Sequence, residues 1–354
     1  MKKQKKRWIL CAAAFTAALV LSGCAVTENQ KTFSQAGRDL AQGSYAYALD
    51  GYLECIETQT SPALSYRGAG ICRLRMGKYA KAVKDFTAVL KMENLSGQLK
   101  KDVLSYRATA FLALNKYEEA LNDCRALQEM SRLDADGYFL MGKASLALDA
   151  YQDAFSSFDQ SYRKDSSYER AIQIYEAYLA HDMEADGTYF LELSLLSAAK
   201  TAKDYCSRGK VYYYMADYDS ARSELIEALK MGSVEAELLL AMTYLAKDDV
   251  ANAKAMYTQY ITLGDNPASG YNGLAICDMR QKHYDEALEK IQAGIPLATT
   301  AELSGLLYNE IVVYERKLDF ETAYSKAREY LELFPEDTQA QREYVFLKSR
   351  VTTD

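Results

Sequence analysis

The chain is expected to fold as an all-α solenoid of about nine helical hairpins closed by a C-terminal capping helix, and three observations lead there. A small residue that opens a helical run, three positions after an aromatic, recurs at close to 34-residue intervals along most of the 354 residues. The blocks run G-K-Y-A-K-A-V-K-D-F at 77–86, N-K-Y-E-E-A-L-N-D-C at 115–124, D-A-Y-Q-D-A-F-S-S-F at 149–158 and K-H-Y-D-E-A-L at 282–288. The four prolines, Pro62, Pro267, Pro296 and Pro335, all fall between the expected hairpins, where a fixed φ and a missing N–H do no harm. No Ser- or Gly-rich linker interrupts the period, so one continuous array is expected. Such an array buries each unit against its neighbours and presents a surface rather than a catalytic pocket.

Residues 1–23 precede the array and are read as an export signal. The basic K-K-Q-K-K-R is followed by an apolar run over Trp8–Leu21, shorter than the about 20 residues a spanning helix needs. Leu21-Ser22-Gly23-Cys24 follows it directly, and those four residues resemble a bacterial lipobox. The resemblance implies lipid on the sulfur of Cys24, cleavage before it, and a body anchored in the cell membrane facing outside the cytoplasm, on the extracellular or periplasmic side. Stable anchoring takes two acyl chains, each buried methylene contributing about 0.8 kcal/mol. A short lipidated tether, 24–31, then leads to the array at 32–335, with the capping helix and tail at 336–354.

Charge excludes one class of partner. Removal of residues 1–23 takes away five basic residues and no acid, leaving 37 Lys/Arg against 49 Asp/Glu. No basic run exists outside the signal, so nucleic acid is not an expected partner.

Within the array the small residue after each hinge is Ala48, Ala82, Ala120, Ala154, Ala221, Ala253, Ala287 and Ala323. The one double step, 67 residues between Ala154 and Ala221, requires a degenerate fifth unit, with Thr188 near the expected place and 185–188 the expected site of a bend in the superhelix. Most first helices carry a second small residue twelve positions earlier, as at Gly70, Ala108, Gly142, Gly209, Ala241 and Ala275. Small residues let two helices approach closely while aromatics fill the wedge beside them. The aromatics are Tyr45, Tyr79, Tyr117, Tyr151, Tyr218, Tyr284 and Phe320 before the marker, and Tyr52, Phe86, Phe158 and Tyr257 after it. Most tyrosines are therefore read as packing.

This pattern resembles the tetratricopeptide repeat, with small residues at positions 8 and 20, aromatics at 4, 11, 17 and 24, and proline at 32. Tyr138, Gly142, Tyr151, Ala154 and Phe158 show it in the fourth unit, and Leu307, Tyr314, Phe320, Ala323 and Pro335 in the ninth. The resemblance covers roughly Thr32 to Pro335. It implies a right-handed superhelix whose inner face is lined by the second, fifth, ninth, twelfth and thirteenth residues of each first helix. After Pro335 one more amphipathic stretch is expected to cap the open end with a polar face.

Carried over unit by unit, that face holds the basic residues Arg67, Arg75, Lys143, Arg170, Lys203, Lys210, Arg280 and Arg316. The aromatics Phe139, Tyr213, Tyr214 and Tyr308 accompany them, against the acids Asp102, Asp136, Glu235 and Glu315. A basic face on an acidic body points to an extended acidic or aromatic peptide of a protein partner, steered by charge and anchored by rings. Binding in envelope, pilus or secretion, or cell-wall assembly is the function implied. The alternative is a glycan- or small-peptide-binding lipoprotein that uses the tyrosines.

Catalysis is not expected. His181 and His283 are the only histidines, and no His/Cys/Asp spacing matches a metal site or an activated nucleophile. No phosphate-binding glycine string appears either, so neither cofactor nor metal is expected. Paired acids such as Glu118-Glu119 and Asp285-Glu286 fall at helix starts, where the dipole favours them. Cys55, Cys72, Cys124, Cys206 and Cys277 occupy small or core positions and read as buried thiols, with only Cys55 and Cys72 near enough along the stack to pair.

Overall fold

The computed structural model describes residues 28–131, 133–264, 266–335 and 337–351. The signal, Cys24 and residues 25–27 of the tether lie outside the described residues. Among the described residues there are nineteen α-helices, one 3-10 turn and no strand. Two compact units divide the chain, Met1–Gly187 and Thr188–Asp354, and the division falls in the segment where the repeat signature is weakest.

In the N-terminal unit the hairpins are α1 (28–41) with α2 (Tyr45–Glu57), α3 (Pro62–Arg75) with α4 (Tyr79–Leu90), α5 (Gly97–Ala113) with α6 (Tyr117–Met130), and α7 (Ala135–Ala147) with α8 (Tyr151–Lys164). The fifth pair is α9 (Tyr168–Leu179) and α10 (Glu184–Leu195). The C-terminal unit continues with α11 (Ala202–Tyr214) and α12 (Tyr218–Lys230), α13 (Glu235–Ala246) and α14 (Val250–Leu263), and α15 (Pro267–Arg280) and α16 (Tyr284–Gly294). A 3-10 turn at Ile295–Leu297 leads to α17 (Thr300–Arg316) and α18 (Phe320–Leu333), and α19 (Thr338–Val351) ends the array. The chain is thus an α-solenoid of nine hairpins and one further helix, as the period requires. Helix α1 has already begun at residue 28, so the last four residues of the expected tether are helical. Phe33, Ala36 and Leu40 lie on one face of α1 and draw it onto α2.

The hinges follow one rule. Each has a residue of positive φ five positions before the marker: Gly43, Gly77, Asn115, Asp149, Asp182, Ala216, Asp248, Lys282 and Leu318. The next N–H then donates to the carbonyl five residues back, as from Lys78 to Arg73 at 2.8 Å, Ala150 to Ser145 at 2.9 Å and Asp319 to Tyr314 at 2.9 Å. That closure satisfies a carbonyl the first helix would otherwise leave open and reverses the chain into the second helix.

This register corrects the fifth unit. Asp182 places the marker at Gly187 rather than Thr188, and 184–195 is a continuous helix. The reason is an exchange of sizes. The position twelve before the marker, Gly or Ala in most units, is Tyr175 here. A Cβ on Gly187 would stand 3.0 Å from the Tyr175 Cα. The first-helix position has grown to a tyrosine and the marker has shrunk from Ala to Gly, so α9 still packs onto the start of α10.

Elsewhere the eight marker alanines are fully buried. The first-helix glycines accept a large side chain of the partner helix where their own Cβ would be. A Cβ on Gly70 would meet Phe86 at 2.6 Å, on Gly142 Phe158 at 2.6 Å, and on Gly209 Leu225 at 2.5 Å. The close approach is therefore of side chain to backbone more than of backbone to backbone.

All five described cysteines are free and buried, so Cys55 and Cys72 do not pair. Burial pushes the thiols up, to about 11 for Cys72 and Cys277 and about 12 for Cys124. The cap is less polar than expected. Helix α19 buries Ala340 and Leu347 and stacks Tyr344 on Tyr324 at 4.9 Å, while Val345 and Phe346 are exposed.

Candidate partner-binding trough

First helices of successive units lie side by side, and bonds one repeat long stitch them together. Arg67 on α3 is ion-paired with Asp102 on α5, and Arg170 on α9 with Asp136 on α7. In the C-terminal unit Asn309 donates to Asn272 at 2.7 Å and Gln339 to the Tyr308 hydroxyl at 3.0 Å. Such bonds align the first helices so that their free faces form one surface within each unit.

Across α5, α7 and α9 that surface is concave. A cavity of about 640 Å³ is lined by Lys101, Asp102, Ser105, Tyr106, Thr109, Phe139, Leu140, Arg170 and Gln173 among others. A second, of about 330 Å³, is lined by Phe139, Lys143, Leu146, Gln173, Glu176, Ala177 and His181. Phe139 and Gln173 belong to both, so the two form one trough with Phe139 at its middle. The Arg170 guanidinium lies over the Phe139 ring at 5.1 Å and the Lys143 ammonium at 5.9 Å. Such contacts contribute about 0.5–2 kcal/mol depending on how far water is excluded. Lys143 keeps solvent-accessible area at the rim, but the protein around it desolvates its ammonium and lowers its pKa.

The structure sorts the expected face residues into three groups. Phe139, Lys143 and Arg170 come together in the trough. Arg170, however, is buried and also bonds Asp165 at 3.4 Å, because the marker at Gly187 moves it to the third position of its helix and turns it inward. Its charge holds α9 to α7. Arg67 is tied to Asp102 and lies over the Tyr106 ring at 5.6 Å.

A second group sits in the C-terminal unit. Lys210 lies over Tyr214 at 5.6 Å, and Tyr213 packs on Tyr214 and Tyr218 at 6.2 and 5.7 Å. Arg280 donates to the Leu245 carbonyl at 2.8 Å and to Asp248 at 3.2 Å. Tyr308 packs on Tyr330 at 6.0 Å. In the third group, Arg75 and Arg316 are exposed in the last turns of α3 and α17. Three of the eight basic residues of the face, Arg67, Arg170 and Arg280, are therefore taken up by neighbouring repeats.

Tyr106 and Gln173 were not expected to line the trough. With Leu140 they hold the sixth position of their helices in the corrected register, one residue beyond the fifth. Counting position six as groove-facing would have found them. No cluster of three or more metal-ligating side chains exists among the described residues. No described helix is long and apolar enough to cross a membrane.

The tetratricopeptide repeat model matches residues 68–131, 107–169 and 206–265. With nine hairpins of this register the chain is a tetratricopeptide repeat protein. Among solved structures, a tetratricopeptide repeat protein from Parabacteroides merdae shares 15% identity over 70% of this chain and 98% of its own, with a TM-score of 0.48. The Cut9–Hcn1 hetero-tetramer of the APC/C shares 14% over 85% of this chain and 58% of its own, with a TM-score of 0.41. MamA from Desulfovibrio magneticus RS-1 shares 19% over 48% and 97%, also with a TM-score of 0.41. No curated protein matches the chain.

Proposed function

We propose that the chain is a non-enzymatic binding scaffold that holds an extended segment of a protein partner along the α5–α7–α9 trough. The observation that carries this reading is Phe139, set between two cations at the point where the two cavities join. An aromatic side chain of the partner stacks against Phe139 and Tyr106, and a carboxylate beside it meets Lys143 and Lys101. Desolvation of Lys143 strengthens that second contact once the peptide excludes water. The lipobox-like Leu21-Ser22-Gly23-Cys24 supports placing this scaffold at a membrane through lipid on Cys24, outside the cytoplasm, where partners would be exported proteins or envelope machinery.

The test places a photo-cross-linking residue at Thr109 or Gln173 in the trough, and at the exposed Tyr47 as a control, in cells making the full chain. One protein partner is expected from both trough positions and not from position 47. Lys143→Glu should abolish that capture. Capture unchanged by Lys143→Glu would show that the trough is not the site.

A further inference from the structure

A second surface lies on α8, α9 and the start of α10. A cavity of about 390 Å³ is lined there by Tyr151, Gln152, Phe155, Tyr178, Met183 and Asp186. Two of these residues, Phe155 and Tyr151, are more exposed than their counterparts in several other units. One after the marker, Leu49, Leu121 and Leu288 are 8%, 7% and 9% exposed, whereas Phe155 is 41% exposed. Tyr151 is 50% exposed, while the six other hinge aromatics are all half-buried.

The cause is in the fifth unit. Met76 covers the Leu49 cluster and Leu148 the Leu121 cluster, each from the end of the following first helix. The equivalent residue after α8 is His181, which is polar and exposed. Helix α9 also rests on α8 more sparsely than α3 rests on α2, α5 on α4 or α7 on α6. Tyr178 on Phe158, 5.2 Å between rings, floors the cavity.

The rim is acidic. Asp186 lines the cavity, Asp149 accepts from the Tyr151 hydroxyl at 2.8 Å, and Asp153, Asp182 and Glu184 are exposed close by in sequence. Among the described residues no Lys or Arg lines the cavity. An aromatic floor with an acidic rim is complementary to an apolar side chain flanked by cations. A second copy of this chain is disfavoured, since a twofold contact would set the acids against themselves.

We propose that this patch is a docking site for a cationic peptide segment that inserts one aromatic or long aliphatic side chain against Phe155, Tyr151 and Met183. It is separate from the trough and opposite to it in charge preference, so one scaffold would hold two segments of unlike chemistry.

The test uses the full chain and the labelled hexapeptides KKFLKK and EEFLEE, read by fluorescence anisotropy. KKFLKK is expected to bind and EEFLEE not. Phe155→Ser and Asp186→Lys should each weaken KKFLKK about tenfold, the loss of one anchor contact. Glu57→Lys, the same change of charge on the exposed end of α2, should not. Equal binding by Phe155→Ser and the parent would overturn the proposal, as would equal weakening by Asp186→Lys and Glu57→Lys, which indicates only the net charge. Concentration-dependent self-association lost in Phe155→Ser would assign the patch to a second copy instead.

Discussion

The two units solve the same hinge with different residues. In the N-terminal unit the left-handed position is held by Gly43, Gly77, Asn115, Asp149 and Asp182, types that tolerate positive φ. In the C-terminal unit it falls to Ala216, Asp248, Lys282 and Leu318, three of which pay for the conformation with a crowded Cβ. That same unit adds ion pairs from each hinge to the next: Lys247 with Asp219 at 2.5 Å, Arg280 with Asp248 at 3.2 Å, and Lys317 with Asp285 at 2.5 Å. The N-terminal unit places strong pairs inside its hairpins, Arg73 with Asp85 at 2.5 Å and Arg107 with Asp123 at 2.6 Å. The C-terminal unit holds buried carboxylates too, Asp278 with Lys254 at 2.6 Å and Glu310 with Lys326 at 3.4 Å, so what separates the units is the turn: easy residues in one, strained residues bridged across the surface in the other.

The largest effect should come from the buried lock. Arg107→Met leaves the Asp123 carboxylate buried without its partner, and a loss of about 3 kcal/mol in urea unfolding is expected. Adding Asp123→Leu should restore most of it. A single change that costs no more than an exposed surface substitution would mean that the pair contributes nothing to the contrast.

Next in size is a joint that the units share. A Cβ on Gly273 would meet the Tyr257 ring at 2.2 Å, and one on Gly68 the Tyr52 ring at 2.4 Å. Alanine at either should cost about 1–3 kcal/mol, with similar losses in both units. A loss in one only would show that the rings are freer there.

The hinge difference itself predicts a gain. Leu318 is exposed and makes its turn at φ 61°, so Leu318→Asn should stabilise by about 0.5–1 kcal/mol with no burial lost. Asp149→Asn, at a hinge already well served, should leave the melting midpoint unchanged. Equal responses would remove the distinction between the units.

Proton titration gives the smallest effect. Hydrogen bonding to Lys247 holds the Asp219 carboxyl below its usual value, so its contribution is present above the unfolded value, near about 3.9, and fades as pH falls through the folded one. Burial pushes Asp85 up despite Arg73. Ionising it therefore takes stability away as pH rises from the unfolded value to the folded one. Carboxyl carbon shifts should place the Asp85 midpoint above that of Asp219, and the opposite order would contradict the assignment of buried and exposed pairs.

These contrasts show where the chain was readable. Markers and hinges repeat, so spacing alone located nine hairpins, and it failed at the fifth unit only because Tyr175 and Gly187 exchanged sizes. The face between the hinges does not repeat. Whether Arg67 or Arg170 stays available depends on Asp102 and Asp136 one repeat away, and on a register that shifts by one residue. Those pairings exist only after the helices are stacked, which is why the composition of the face overstated its free positive charge. The exposure of Phe155 was hidden for the same reason: the position that a Met or Leu fills in other units is held here by His181, a residue of the next unit.

The five buried thiols make the body chemically quiet. At Cys72 and Cys277, where burial pushes the thiol up to about 11, roughly one thiol in ten thousand is ionised at pH 7, and exchange with disulfides runs through that ion alone. An odd number of free cysteines would ordinarily invite scrambling among neighbouring chains. Here the stack must first come apart, so the rate of cross-linking by an oxidant is set by unfolding and measures the kinetic lifetime of the packed array.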